Sequence, residues 1–177
     1  MLDQAAGRRI VCALGQLNSD KGFDHFCDLW LDSEAIRQRF LFVAAGRVGP
    51  GNADRAQAFA HAGGLLRDGF ASDEALRGYY NGAHLIWCYY APGYNQASGI
   101  FGRSAQFGRQ PLVRAGSYLE GLAQHLGVPA LHLEGNAPAD TRVLIECEPM
   151  EFSGIDRTRL RETSLRQLSK ALGLDLH

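Results

Sequence analysis

The chain has 177 residues, of which 46% are hydrophobic and 21% charged, and its formal net charge at pH 7 is −1. This length fits one domain with a buried core, and the near-neutral charge with scattered basic residues gives no support to nucleic-acid binding. No apolar run approaches the roughly 20 residues of a membrane span, and the N-terminal MLDQAAGRR has no signal-peptide core.

Helix and strand patterns alternate from the N-terminus onward. The near-continuous apolar run of residues 9–17 predicts a strand buried on both faces. Asp20 is expected to cap a helix whose inner face has apolar residues three and four positions apart. These residues are Phe23, Phe26, Cys27 and Trp30. Residues 40–46 predict a second strand, and residues 53–62 predict a second helix.

The middle of the chain continues this alternation. Residues 65–70 predict a short third strand, and residues 84–90 predict a fourth. Between them, Ser72 is expected to cap a helix with Asp73 and Glu74 in its first turn, where the helix dipole favours negative charge. The inner face of this helix is predicted to consist of Leu76, Tyr79, Tyr80 and Ala83.

The last part predicts two more strands at residues 111–116 and 130–134, joined by a helix with Leu119, Leu122 and Leu126 inward. Residues 141–149 are a candidate for a further strand, and residues 158–172 predict an amphipathic helix. Strands separated by helices and joined by short glycine loops predict a single α/β domain. We expect a Rossmann-like three-layer sandwich with a mainly parallel sheet of about six strands.

Neither the four cysteines nor the six histidines have the spacing of a metal site. We interpret the cysteines as free buried thiols, which indicates a reducing, cytoplasmic compartment. They are Cys12, Cys27, Cys88 and Cys147. No metal and no cofactor are therefore expected.

Three polar loops are expected at one edge of the sheet, because the carboxyl ends of parallel strands lie together. In the first, residues 15–22, Gly15 lets the backbone pass close to a ligand and Lys21 enters the first turn of the next helix. A lysine beside helix N-terminal amides suits a diphosphate, since both present positive potential. A solvated lysine at a helix start is the alternative interpretation.

The second loop, residues 91–104, is long, polar and rich in glycine, and such loops are often functional. Tyr94 could stack on a ring or serve as a packing aromatic. The backbone amides expected to open a helix here and to bind phosphate are those of Gly99, Ile100 and Phe101. The side chains expected to bond phosphate or sugar hydroxyls are Gln96, Ser98 and Ser104.

The third loop, residues 67–72, could accept the edge of a base through the backbone of Gly69 and Phe70. No G-x-G-x-x-G follows the first strand and no GKS or GKT is present, which disfavours a dinucleotide fingerprint and a P-loop. There is no G-x-S-x-G nucleophile elbow and no acid–base constellation. No catalytic residue is therefore assigned.

These loops, in this order, resemble the C-terminal, donor-binding domain of GT-B fold glycosyltransferases, especially the large retaining group 1, family 4-like branch. The first-strand signature of that family is similar to GQLNSDKGFD. Its third strand, helix and fourth strand are similar to LLRDGFASDEALRGYYNGAHLIWCYY, where a glycine, here Gly69, borders the base. Its donor-diphosphate loop is similar to SGIFGRSAQFGRQPLVRAG, so the resemblance spans residues 9–116.

The resemblance also implies roles for individual residues. Lys21 would neutralise the donor diphosphate as the one retained cation, because Gln16 stands where the family has an arginine. Gln96 and Ser104 stand where the family has two glutamates, of which the first touches the transferred sugar and the second the ribose. Gln96 with Ser98 would therefore hold the sugar, and Ser104 the ribose, through neutral hydrogen bonds.

As a function, the resemblance implies binding of a nucleotide-sugar donor in a glycosyltransferase that moves a hexosyl group to a saccharide or lipid acceptor. GT-B enzymes hold the acceptor on an N-terminal domain, so we expect that half to be missing and the chain alone to be inactive. The whole protein is expected in the cytoplasm, attached peripherally to the inner membrane through the missing domain.

Two alternatives stay open at this point. One is a degenerate, non-catalytic GT-B domain kept for assembly or scaffolding, which the replaced arginine and glutamates would fit. The other, a sugar-nucleotide epimerase of the same two-domain fold, needs acidic residues near the sugar that cannot be placed here. The base, the sugar and the acceptor are also open.

Overall fold

A computed structural model describes residues 2–155, and the helix predicted for residues 158–172 lies outside that range. The strands are β1 (Arg9–Leu17), β2 (Phe40–Val48), β3 (Leu65–Asp68), β4 (Leu85–Cys88), β5 (Gln110–Arg114) and β6 (Leu131–Leu133). The helices are α1 (Leu2–Ala5), α2 (Phe23–Asp32), α3 (Glu34–Arg39), α4 (Ala53–His61), α5 (Asp73–Gly82), α6 (Gly99–Gln106), α7 (Tyr118–Leu126) and α8 (Ala137–Glu146). None of these helices is both long enough and apolar enough to cross a membrane.

The six strands form one parallel sheet in the order β3-β2-β1-β4-β5-β6. The predicted Rossmann-like α/β fold is therefore confirmed. Right-handed crossovers place α2 and α4 on one face of the sheet and α5, α6 and α7 on the other. The direction of winding changes between β1 and β4, and the loops that follow these two strands turn to opposite faces. A ligand crevice is expected at that point, outside the carboxyl ends of the strands.

Aromatic side chains fill the space between α2, the sheet and α4. The Phe26 ring lies 4.7 Å from that of Phe42 on β2, 5.2 Å from Trp87 on β4 and 5.6 Å from Phe59 on α4. Each large apolar side chain buried in this way contributes about 1.5–3 kcal/mol of transfer free energy. All four residues predicted for the inner face of α2 are buried: Phe23, Phe26, Cys27 and Trp30.

The prediction that Asp20 caps α2 is wrong. The N-cap position of α2 is Gly22, which has no side chain to cap with. Asn18 instead caps a single 3₁₀ turn before the helix, where its side-chain oxygen accepts a hydrogen bond from the Lys21 amide at 3.0 Å. Gly22 follows in the left-handed region at φ 65°, where a β-carbon would collide with a backbone carbonyl after β4. Lys21 therefore lies in a separate turn before α2 and not in its first turn.

The candidate strand at residues 141–149 is also wrong, because most of this segment belongs to α8. Asn136 caps that helix by accepting a hydrogen bond from the Ala139 amide at 3.1 Å. Asp140 in its first turn is fully buried and bonded to neighbouring segments. A short apolar run fits either a strand or a helix, so the cap and these tertiary bonds decide.

Two strand ends differ from their predicted positions in ways that shape the site. β2 extends to Val48, which keeps Arg47 in the ladder opposite Gln16. β4 ends at Cys88, so the two following tyrosines leave the sheet. Both differences fall at the carboxyl edge, where the sheet gives way to the ligand-facing loops.

Candidate functional site

A cleft of about 510 Å³ opens at the carboxyl ends of β1, β2 and β3. This volume falls within the range of about 300–1,000 Å³ that is typical of small-molecule sites. The lining includes Gly15, Gln16, Arg47, Gly69, Phe70 and Leu76. The structure thus brings two predicted donor-binding residues of the first loop and two of the third loop into one cleft, while Lys21 of the first loop lies outside its lining.

Arg47 is a site residue that sequence reasoning missed. It is the Cα partner of Gln16 in the β1–β2 ladder, so both side chains leave the sheet on the same face, from strands about 4.8 Å apart. Arg47 is the only charged residue among the described residues that line the cleft, and it is exposed. The sequence feature that could have identified Arg47 is its position as a charged residue directly after the apolar run predicted as the second strand. The cleft therefore has a positive charge beside the neutral Gln16.

Lys21 lies between two tyrosines that follow β4, Tyr90 just before the second loop and Tyr94 within it. Its Nζ is 4.1 Å from the ring centroid of Tyr90 and 3.7 Å from that of Tyr94. Both distances are within the range of cation–π attraction, which is worth about 0.5–2 kcal/mol according to exposure. The Lys21 backbone is also held, since its carbonyl accepts a hydrogen bond from Trp87 Nε1 at 3.2 Å. The ammonium group is thus positioned before any ligand is bound.

The N-terminus of α6 is connected to this lysine through Tyr90. The Tyr90 hydroxyl lies 2.6 Å from Ser98 Oγ, and Ser98 is the cap of α6. Ser98 Oγ accepts hydrogen bonds from the amides of Ile100 at 3.2 Å and Phe101 at 3.4 Å. The predicted helix start at Gly99 is correct, but two of its three amides already have a partner.

Tyr94 and Gln96 complete the surroundings of the lysine. Hydrogen bonding with Lys21, and then with Gln96, holds the pKa of Tyr94 below its ordinary value. By contrast, burial raises the pKa of Tyr90, an effect that Cys88 reinforces and Ser98 opposes. The ammonium of Lys21 supplies the positive charge of the group that it forms with these two rings, the Lys21 group.

The remaining predicted residues are placed as follows. Phe70 is completely exposed at the rim of the cleft, and Gln96 is exposed beside Tyr94. The Gly69 amide donates to the Gly46 carbonyl at 3.0 Å and is therefore already bonded. Ser104 is fully buried, and its hydroxyl has no hydrogen-bond partner among the described residues. This burial argues against the predicted contact of Ser104 with a ribose.

The first and second loops also touch through Ile100. Its Cδ1 would lie 3.7 Å from a β-carbon built at Gly15, so α6 packs against the end of β1. The Lys21 group and the cleft therefore flank the same strand end. Within residues 2–155, no three His, Cys, Asp or Glu side chains lie together in a way that could hold a metal ion.

No protein-family model matches the chain, and no curated protein sequence matches it. Solved structures do match its fold. One is the C-terminal domain of a glycosyl transferase group 1 family protein, LpcC, from Francisella tularensis. The TM-score is 0.58 at 14% identity, over 78% of this chain and 74% of that one.

Two further similar structures are also named as glycosyltransferases. The catalytic domain of cholesterol-α-glucosyltransferase from Helicobacter pylori matches with a TM-score of 0.59 at 15% identity, over 77% of this chain and 84% of that one. WaaG, a glycosyltransferase involved in lipopolysaccharide biosynthesis, matches with a TM-score of 0.59 at 16% identity. That match covers 80% of this chain but only 38% of WaaG. The resemblance to the C-terminal domain of GT-B glycosyltransferases is thus confirmed for the fold.

Proposed function

We propose that this chain is the nucleotide-sugar donor-binding domain of a glycosyltransferase that moves a hexosyl group to a saccharide or lipid acceptor. The observation that carries the proposal is the position of Lys21, whose ammonium group is held between two tyrosine rings in the turn that follows β1. A cleft of about 510 Å³ opens at the same strand end, beside β2 and β3. The fold shared with proteins named as glycosyltransferases supports this choice of ligand. A second domain would bind the acceptor.

The donor diphosphate would lie between Lys21 and the first turn of α6. A lysine and the positive end of a helix dipole both favour an anion at that place. Ser98 would keep the helix start in position, since its hydroxyl already bonds two amides and Tyr90. Arg47 would add the second cation from β2, where it lies beside Gln16. In this arrangement Lys21 and Arg47 supply the positive charge for the diphosphate, and Ser98 fixes the orientation of the first turn of α6.

The sugar and the nucleoside would occupy the two sides of this charged centre. Gln96, exposed beside Tyr94, would bond hydroxyls of the sugar. The completely exposed ring of Phe70 would stack on the base, as aromatic rings do on flat ligands, with Gly69 beside it. Ser104 could contribute to the ribose only after α6 moved, because it has no exposed surface.

The chemical step would break the bond between the sugar and the diphosphate, and negative charge would build up on the departing oxygen. Positive groups that are already in place stabilise such charge most effectively, since they need no rearrangement during the reaction. Lys21, between its two rings, fits that description. Arg47 would assist it from the cleft. Activation of the acceptor hydroxyl would fall to the second domain.

A scaffolding domain is the second candidate, and Ser98 and Ser104 favour it. Ser98 Oγ already accepts hydrogen bonds from two amides that a diphosphate would otherwise use, and Ser104 is buried. A domain kept for assembly needs no ligand at the strand ends. In the full-length protein, Lys21→Met would then leave the cellular role intact, whereas a transferase would lose activity.

Calorimetric titration of the chain with UDP, GDP and ADP and with their hexose conjugates tests the proposal. We expect one of these nucleotides to bind with a Kd of about 0.1–1 mM, because in the proposed two-domain transferase the second domain would supply the other wall of the cleft. Lys21→Met, which keeps a side chain of similar length and removes the charge, should weaken this binding about tenfold. The matched control is Arg142→Met on the exposed side of α8, which should have no effect. Absence of binding up to about 10 mM would refute donor binding by this chain.

A further inference from the structure

A second, smaller pocket lies between α5 and α6 and shares Leu76 with the cleft. Its volume is about 150 Å³. This is below the roughly 300 Å³ at which sites for drug-sized ligands begin, and close to the roughly 150 Å³ of a cavity that holds one benzene. The pocket therefore admits a small ion or the terminal group of a larger molecule, but not a nucleotide.

The lining of this pocket is positively charged. Arg77 on α5 and Arg103 on α6 both face it, and Asp73 is the one carboxylate in the described lining. Neither arginine belongs to an ion pair among residues 2–155, so neither lies within 4.0 Å of a described carboxylate oxygen. Two arginines in the lining of one small pocket are suited to an oxyanion, because the planar N–H donors of guanidinium groups match phosphate and carboxylate oxygens.

Tyr80 is the second, independent feature of this pocket. It is only 1% exposed, lines the pocket, and its hydroxyl has no hydrogen-bond partner among the described residues. Its ring is fixed by stacking on Phe107, with the centroids 5.1 Å apart. Burial and then Cys88 raise the pKa of Tyr80, while the charge of Arg103 acts in the opposite direction. The hydroxyl is therefore a neutral donor close to a guanidinium, and buried groups of this kind normally have a partner.

We propose that the pocket between α5 and α6 binds a phosphate-sized oxyanion through Arg77 and Arg103, with a hydrogen bond from the Tyr80 hydroxyl. The site is separate from the Lys21 group and does not depend on the proposed transferase function. It would bind either free phosphate or the terminal phosphate of an ester that extends into solvent.

Thermal unfolding in sodium phosphate, compared with sodium chloride at equal ionic strength, tests the site, and calorimetric titration gives the affinity. We expect phosphate to raise the Tm of the wild type in a saturable way. The double variant Arg77→Gln/Arg103→Gln should lose this rise, and Tyr80→Phe should weaken the affinity about fivefold. The matched control Arg142→Gln should keep the full rise, since that exposed arginine lies on α8.

Two further measurements probe the Tyr80 hydroxyl and the source of the oxyanion. Tyr80→Phe should be at least as stable as the wild type in chloride, because it removes an unpaired buried hydroxyl and keeps the ring. Phenyl phosphate distinguishes the two sources of the oxyanion. A site for phosphate esters would bind phenyl phosphate with an affinity similar to that for inorganic phosphate, whereas a site for free phosphate would bind inorganic phosphate alone. The proposal is overturned if neither ligand raises the Tm, if the double arginine variant keeps the rise, or if Lys21→Met alone abolishes it.

Discussion

Among the residues of α8, Asp140 is the one whose replacement should lower the free energy of unfolding most. It is fully buried and accepts hydrogen bonds from the amides of Glu134 at 2.7 Å and Gly135 at 2.9 Å, and bonds His25 Nε2 at 2.7 Å. These bonds tie α8 to the turn after β6 and to α2. Asp140→Ala would remove the partner of all three groups at once, including the largely buried His25 side chain.

The expected cost follows from these bonds. A hydrogen bond to a charged group is worth about 1.5–3 kcal/mol, and the Asp140 carboxylate makes three of them. We expect Asp140→Ala to lower the free energy of unfolding by about 4 kcal/mol, which is about 8–16 °C in Tm for a domain of this size. Asp140→Asn should cost about 2 kcal/mol, because the amide keeps one acceptor and turns an N–H toward another donor. Glu146→Ala, on the exposed last residue of the same helix, should stay within about 0.5 kcal/mol.

Urea unfolding measured against pH checks the origin of this effect. Burial alone raises the pKa of Asp140, but hydrogen bonds from His25 and from the amides of Glu134 and Gly135 outweigh it and hold the pKa below its ordinary 3.8. A group with a lowered pKa in the folded state stabilises above its unfolded pKa, and this stabilisation is lost as pH falls through the folded pKa. The difference between wild type and Asp140→Asn should therefore shrink below about pH 4. An alanine variant within about 1 kcal/mol of wild type at pH 7 would refute this reasoning.

Three further outcomes are expected. Gly46→Ala should lower the free energy of unfolding in urea by at least about 3 kcal/mol, since φ is 152° there and a β-carbon would overlap a carbonyl of β1. Gly51→Ala, with open space around it, is the control, and equal stability of the two variants would contradict the steric argument. Tyr90→Phe should lower the free energy of unfolding by about 1 kcal/mol, because it removes the hydrogen bond to Ser98 Oγ. The same variant should bind nucleotide more weakly in calorimetry, and an unchanged affinity would show that this bond does not support the ligand site. Thiol labelling of the native chain should modify Cys147 first, because burial raises the pKa of all four thiols but only Cys147 is partly exposed. Faster reaction at Cys12, Cys27 or Cys88 would contradict the described packing.

The order of strands and helices could be predicted from the sequence because it depends on local patterns. The nine apolar-rich residues of β1 and the spaced aromatics of α2 each reflect which faces are buried, and burial is visible as periodicity. Ser72 as the cap of α5 was also predictable, since its hydroxyl accepts the hydrogen bond of the Ala75 amide only three residues away. Such bonds involve no distant part of the chain.

Only the tertiary structure decided the details of the candidate site. Arg47 belongs to the cleft because β2 pairs with β1, and Lys21 is positioned by two tyrosines about 70 residues later in the chain. Ser104 looked available in the sequence, but the packing of α6 on the sheet buries it. Most of the segment 141–149 belongs to α8 partly because Asp140 meets His25, which lies far away in the sequence. Side-chain contacts between distant segments depend on how the elements pack, and no local pattern of residues carries that information.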